Sequence, residues 1–202
     1  MSALPVELVL ASASPRRQRI LREAGYAFSV FDPGDAEERV SGSGPAEQAR
    51  AKAYAKAAHA AAMLRPARDT LIVAADTLVA LGGEVLGKPL DRPDARRILG
   101  RLAGTRQEVI SGLCLWPAPR GPKPLVDSVS SWVTLRAMTP AEIAAYVDSG
   151  EADGKAGAYA IQETGDRFVE RLEGSFLNVV GFPLERFQER LKELLERWPG
   201  GG

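Results

Sequence analysis

Cysteine and histidine are nearly missing from this 202-residue chain, which has one of each, Cys114 and His59. A single thiol cannot close an internal disulfide, so a reducing, cytoplasmic setting is the simplest expectation. One histidine is too few for a nitrogen- or sulfur-ligated zinc site, and it leaves Ser-His-Asp and Cys-His nucleophiles without support. His59 falls within an alanine-rich helical pattern and reads as a surface residue, and Cys114 falls in an apolar run and reads as core. No charge of either sign is in excess, with 26 basic against 26 acidic side chains. That balance removes the global field that a nucleic-acid backbone would need. No apolar run approaches the roughly 20 residues of a membrane span, and Pro5 to Ala13 is too short and lacks the basic leader of a signal peptide. P-loop spacing and internal repeats are also missing.

What is present is an alternation of strands and helices in a chain that is 45% apolar. Strands are predicted over 6–11, 26–31, 71–81, 84–88, 107–116, 126–136, 158–162 and 168–172. Helices are predicted over 15–24, 45–64, 91–102, a segment capped by Thr139, and 183–198. Ser14 is placed to cap the first helix. "TPAEI", with Pro140 at the first helical position and Glu142 three residues after the cap, has the form of a capping box.

Three stretches carry chemistry. In "LASASPRR" a strand feeds a turn and then a helix, which aims free backbone N–H groups and the positive end of the helix dipole outward. Ser12, Ser14, Arg16 and Arg17 add hydroxyl and forked guanidinium donors suited to phosphate oxygens. Alone, such a stretch is most simply a solvated, basic first turn. In "VAADTLVALGGEVLGKP" the carboxylate of Asp76 stands inside an apolar strand, where it requires a cation, a metal or bound water. Thr77 follows it, and Lys88 lies beyond a Gly-Gly turn that can fold it back as a hairpin. Taken singly, a buried aspartate is more often structurally paired than catalytic. In "DGKAGAYAIQ", Gly154 and Gly157 permit close backbone approach, Lys155 offers a charge, and Gln162 offers a donor and an acceptor of the kind a uracil or thymine edge requires.

These stretches, in order and across nearly the whole chain, resemble the Maf family of nucleoside triphosphate pyrophosphatases, also called septum formation inhibitor proteins. The matching segments are "LVLASASPRR", "AADT", "LGKP", "SGEADGKAGAYAIQ" and "FVERLEGSFLNVVGFPL". The resemblance implies one domain over 1–202 with an α/β fold, a mixed elongated sheet flanked by helices, and two lobes around a central cleft. It also implies hydrolysis between the α- and β-phosphates, releasing a nucleoside monophosphate and pyrophosphate. Position by position it implies Ser12, Arg16, Arg17, Lys52, Thr77, Lys155 and Gln162 as substrate contacts. Asp76 corresponds to the family's general base, and Lys88 joins it as a catalytic cation. In the acidic loop "DPGDAEERV", Asp35, Glu37 and Glu38 compete for one acidic position, and spacing favours Glu37.

A water that attacks phosphorus must lose a proton among crowded anionic oxygens, so a carboxylate base with several cations suits the reaction. The expected cofactor is a divalent cation, magnesium with manganese as the alternative, held on phosphate oxygens with help from Glu37 and Asp76. A homodimer is compatible with the resemblance. Arg16, Thr77 and Gln162 stand where the subgroup associated with 7-methyl-GTP has tryptophan, glutamine and glutamate. Arginine, threonine and a neutral glutamine suit an uncharged pyrimidine, so dTTP, UTP and 5-substituted uridine triphosphates are the expected substrates. Two other readings stand beside this one: a nucleotide-binding regulator of division acting through partners, and a glycosidase using Asp76 with Glu37. The surrounding arginine and lysine side chains favour phosphate over sugar.

Overall fold

Strand β1 (Glu7–Ala11) is buried along almost its full length, as an interior parallel strand must be. It pairs in parallel with β2 (Ser29–Phe31) on one side and β3 (Thr70–Leu81) on the other. The computed structural model describes residues 4–37, 40–162 and 164–198. Over these residues the sheet has seven strands in the order β2-β1-β3-β5-β6-β7, with β4 (Glu84–Leu86) paired antiparallel to β3. β5 is Arg106–Ala118, β6 is Leu125–Leu135, and β7 (Val169–Glu173) is antiparallel to β6. The helices are α1 (Pro15–Glu23), α2 (Pro45–Leu64), α3 (Arg92–Leu102), α4 (Pro140–Asp148), α5 (Phe176–Val180) and α6 (Leu184–Glu196). The fold is therefore mixed α/β, as expected. No helix among the described residues is long and apolar enough to cross a membrane.

Two local expectations are corrected, and one short helix is added. Ser14 does occupy the N-cap of α1, but its side chain makes no capping bond, and its backbone N–H instead donates to Ser12 Oγ at 3.3 Å. The strand expected over 158–162 is a short 3₁₀ turn, Ala156–Ala158, followed by further turns. Gly157 and Ala158 adopt φ of 72° and 60°, which no strand accommodates. α5 has only five residues and shows no helical period for a sequence to reveal. The glycine-rich C-terminal tail and Glu38 lie outside the described residues.

The chain divides into two compact units, and β3 passes from one to the other between Asp76 and Thr77. In the first unit, α2 presents Ala49, Ala53, Ala57 and Ala60 to the sheet, all fully buried. Side chains this small let helix and sheet approach closely. Ala53, Ala57 and Ala60 join Val9, Ala11, Ile72, Ala74 and Cys114 in one apolar cluster. At Gly112 of β5 a Cβ would overlap the backbone carbonyl of Ala49, so glycine is required there. Burial pushes the Cys114 thiol up to about 12, which leaves it an inert core group. His59 is exposed on α2, with its ring 6.0 Å from that of Phe31.

In the second unit, α4 begins with the expected capping box: the Thr139 hydroxyl accepts from Glu142 N–H, and the Glu142 carboxylate accepts from Thr139 N–H. Its core is built on Leu99, Leu102, Ile110, Tyr146 and Phe168. The Tyr146 ring meets Phe168 edge-on at 5.4 Å.

Gly112→Ala is expected to lower stability by about 3 kcal/mol, because the obstacle is helix backbone rather than a movable side chain. Urea unfolding should show a reduced midpoint with an unchanged slope. An unchanged midpoint would mean that α2 does not rest on β5 as closely as described.

Candidate active site

The first unit collects four charged groups and a hydroxyl around the end of β1 and the middle of β3. Asp76 retains 9% of its surface, and its Oδ1 accepts from Lys56 Nζ at 2.6 Å. Lys56 is 5% exposed and reaches Glu37 Oε1 at 2.8 Å with the same ammonium. One buried cation is thus shared by two carboxylates. The second oxygen of Glu37, Oε2, is buried and has no hydrogen-bond partner among the described residues. A bare buried acceptor is costly, and its usual explanation is a water or ion at that atom.

Beside this triad, Arg17 reaches back from α1. Its Nε donates to the Gly181 carbonyl at 2.9 Å, and its Nη1 donates to Ser12 Oγ at 3.0 Å. Arg17 keeps some exposed surface as a residue, yet its guanidinium is desolvated. Burial lowers its pKa below the ordinary arginine value, the carboxylate of Asp76 pulls it back up, and the neighbouring charge of Arg16 lowers it again. Ser12 is 3% exposed and accepts from both Arg17 and Ser14 N–H, so its hydroxyl fixes the turn between β1 and α1. Of the residues singled out from sequence, Ser12, Arg16, Arg17, Glu37 and Asp76 therefore belong to one neighbourhood.

Lys52 lies on α2 one turn before Lys56, is half-buried, and makes no hydrogen bond or ion pair with another described residue. The lysine that meets Asp76 is Lys56, which sequence reasoning passed over. The signal was available: Lys56 stands with Ala49, Ala53, Ala57 and Ala60 on the buried stripe, where a lysine needs a buried counter-charge.

The second unit carries Thr77, Lys88, Lys155 and Gln162. Thr77 is half-buried on β3, Lys88 is exposed just past β4, Lys155 is half-buried, and Gln162 is exposed. The backbones bearing Lys88 and Lys155 are tied together, because Gly157 N–H donates to the Gly87 carbonyl at 3.3 Å. A Cβ on Gly157 would stand 3.0 Å from Val79 Cγ2, in addition to requiring a left-handed backbone. Glycine is what lets this turn lie flat on β3.

No group of three histidine, cysteine, aspartate or glutamate side chains able to hold a metal occurs among the described residues. Two carboxylates, one of them with a bare oxygen, suit an ion that takes most of its ligands from water and phosphate. They do not suit one that demands an all-protein cage.

A family model described as "Maf-like protein" matches residues 7–194. A protein from Anaeromyxobacter sp. (strain Fw109-5) named "dTTP/UTP pyrophosphatase" is 47% identical over 187 residues, covering 92% of this chain and 88% of its own. One of the same name from Pelotomaculum thermopropionicum is 42% identical over 187 residues, covering 93% of this chain and 96% of its own. Among solved structures, a nucleoside-triphosphatase described as a dITP/XTP pyrophosphatase, from Mycobacterium abscessus, aligns with a TM-score of 0.41 at 14% identity, over 93% of this chain and 94% of its own.

Lys56→Met is expected to lower stability by about 3–5 kcal/mol, since it leaves Glu37 and Asp76 buried without their shared cation. The double variant Lys56→Met with Glu37→Gln should recover part of that loss. Chemical unfolding of both variants checks this, and equal stability of Lys56→Met and the parent would remove the triad from the structural account.

Proposed function

Because the chain belongs to the Maf-like protein family, we propose that it is a nucleoside triphosphate pyrophosphatase acting on dTTP and UTP in the cytoplasm. The products are the nucleoside monophosphate and pyrophosphate. The observation that carries the chemistry is Asp76, a carboxylate kept in an apolar strand by a buried lysine, next to a desolvated arginine. The choice of pyrimidine rests on the names of the relatives at 47% and 42% identity and on Arg16, Thr77 and Gln162.

Asp76 takes the proton from the attacking water as oxygen closes on the phosphoanhydride between the α- and β-phosphates. The P–O bond to the leaving pyrophosphate breaks, and the negative charge that develops there needs nearby cations. Arg17 and Arg16 in the β1–α1 turn, with Lys88 and Lys155, are assigned to phosphate oxygens, the lysines by their motifs rather than by distances. Lys56 holds Asp76 and Glu37 in place. Ser12 holds Arg17. Gln162 reads the base edge, and Thr77 and Lys52 are assigned to the substrate by motif. Magnesium, or manganese in its stead, fits Glu37 Oε2 and the remaining surface of Asp76, and would neutralise charge on the phosphate oxygens.

Pyrophosphate release from dTTP, UTP, CTP, GTP and 7-methyl-GTP tests the substrate assignment, with kcat/KM expected to be highest for dTTP and UTP. A higher value for 7-methyl-GTP would overturn the pyrimidine assignment, and no release from any of them would leave only a binding role. Asp76→Asn should lower kcat by about 10²- to 10⁴-fold with the fold retained. Lys88→Ala, at an exposed position, should raise KM for dTTP without moving the melting temperature.

A further inference from the structure

The segment from Glu151 to Gln162 carries two of the proposed substrate contacts, and a series of hydrogen bonds within the second unit secures it. At the base of the segment, the Glu151 carboxylate accepts from Thr164 N–H at 3.1 Å and from Thr164 Oγ1 at 2.6 Å. Glu151 is fixed in turn: its N–H donates to Ser149 Oγ at 3.3 Å, and that hydroxyl donates to the Tyr146 carbonyl at 2.7 Å. Higher up, the Tyr146 hydroxyl accepts from Ala160 N–H at 3.2 Å. Tyr159 donates to the Gln107 amide oxygen at 3.2 Å, with the Gln107 nitrogen donating to the Thr105 and Val133 carbonyls in the orientation that satisfies every group. Burial pushes the Tyr159 hydroxyl up to about 12, so it remains a donor.

Between these anchors the backbone is strained. Ala158, fully buried, adopts φ of 60° without being glycine. Such a conformation persists only where the surroundings over-determine it. Gly165 closes the turn where a Cβ would overlap the Ala160 carbonyl.

Thr164 is exposed and Glu151 half-exposed, so their pairing adds little to global stability. Its effect is local. It joins the two ends of a segment whose ordering would otherwise be charged to every binding event. We propose that Glu151 and Thr164 form a clasp that holds the 151–162 segment in its ligand-ready conformation, making them positioning residues for affinity and base discrimination rather than for the chemical step. This rests on the reading of Lys155 and Gln162 as substrate contacts.

The test compares the parent protein with Thr164→Val, Glu151→Ala and Thr164→Ser. Two measurements are made on each: steady-state kinetics with dTTP, UTP and CTP, and amide hydrogen exchange over 156–162. Thr164→Val and Glu151→Ala are expected to raise KM for dTTP and UTP by about three- to tenfold, the worth of one or two hydrogen bonds. Their kcat should stay within about twofold, the preference for dTTP over CTP should narrow, and Ala160 N–H should exchange faster. Thr164→Ser, which keeps the hydroxyl, should restore all of these. Unchanged exchange in Thr164→Val would show that there is no clasp. Faster exchange with unchanged KM and preference would show that the clasp orders a segment the substrate does not use, and would overturn the proposal while leaving pyrophosphatase activity in place. A loss of kcat at constant KM would overturn it as well. A parent protein that releases no pyrophosphate from dTTP or UTP fails the functional reading itself, and the clasp's role in selectivity falls with it, whatever the exchange data show.

Discussion

One ammonium group holds two carboxylates together inside the first unit, and the rest of the candidate chemistry depends on it. Lys56 Nζ sits 2.6 Å from Asp76 and 2.8 Å from Glu37, with all three side chains largely removed from water. Replacing such a group with apolar residues is often neutral or stabilising in a fold that has no use for the charge. Its presence here accords with the role proposed for Asp76 as general base. The carboxylate keeps a small exposed surface, and Lys56 Nζ holds one of its oxygens.

The triad exists because α2 lies close to the sheet. Alanine at 49, 53, 57 and 60, and glycine at 112, bring the helix axis near enough for a lysine on the same stripe to reach into β3. A bulkier stripe would hold the helix off, and Lys56 would then have to extend to solvent. Arg17 is treated in the same manner: the Gly181 carbonyl and Ser12 Oγ fix its fork, which would leave little reorganisation for the phosphate proposed to bind there.

In the second unit, preorganisation is achieved through backbone rather than charge. Gly157 lies against Val79, its N–H binds the Gly87 carbonyl, and the next residue accepts a left-handed conformation. Two motifs about seventy positions apart in sequence are thereby locked to one another, Lys88 travelling with one and Lys155 with the other. With Lys88 and Lys155 in the substrate roles proposed for them, this rigid backbone would lower the entropy lost when a ligand is held.

Much of this was legible in the sequence because it depends on short-range chemistry. The 20-residue α2, the capping box at Thr139 and the apolar run of β3 follow from periodicity and capping preferences that act within a few residues. The ordered motifs around Ser12, Asp76, Lys88 and Lys155 were legible through their resemblance to the Maf family, and the apolar strand itself required that Asp76 find a cation, a metal or bound water. Which group answers that demand was not legible, because Lys52 and Lys56 are both lysines in an alanine-rich helix, one turn apart and on nearly the same face. Tertiary packing decided for Lys56, since the seating of the alanine stripe on the sheet sets which turn of α2 lies beside Asp76. The turn at 156–158 was decided in the same way. A strand is what the sequence leads one to expect from Ala158 onward, but Gly157 packs against Val79 and bonds to Gly87, positive φ is adopted at two successive positions, and both partners lie far away in the chain.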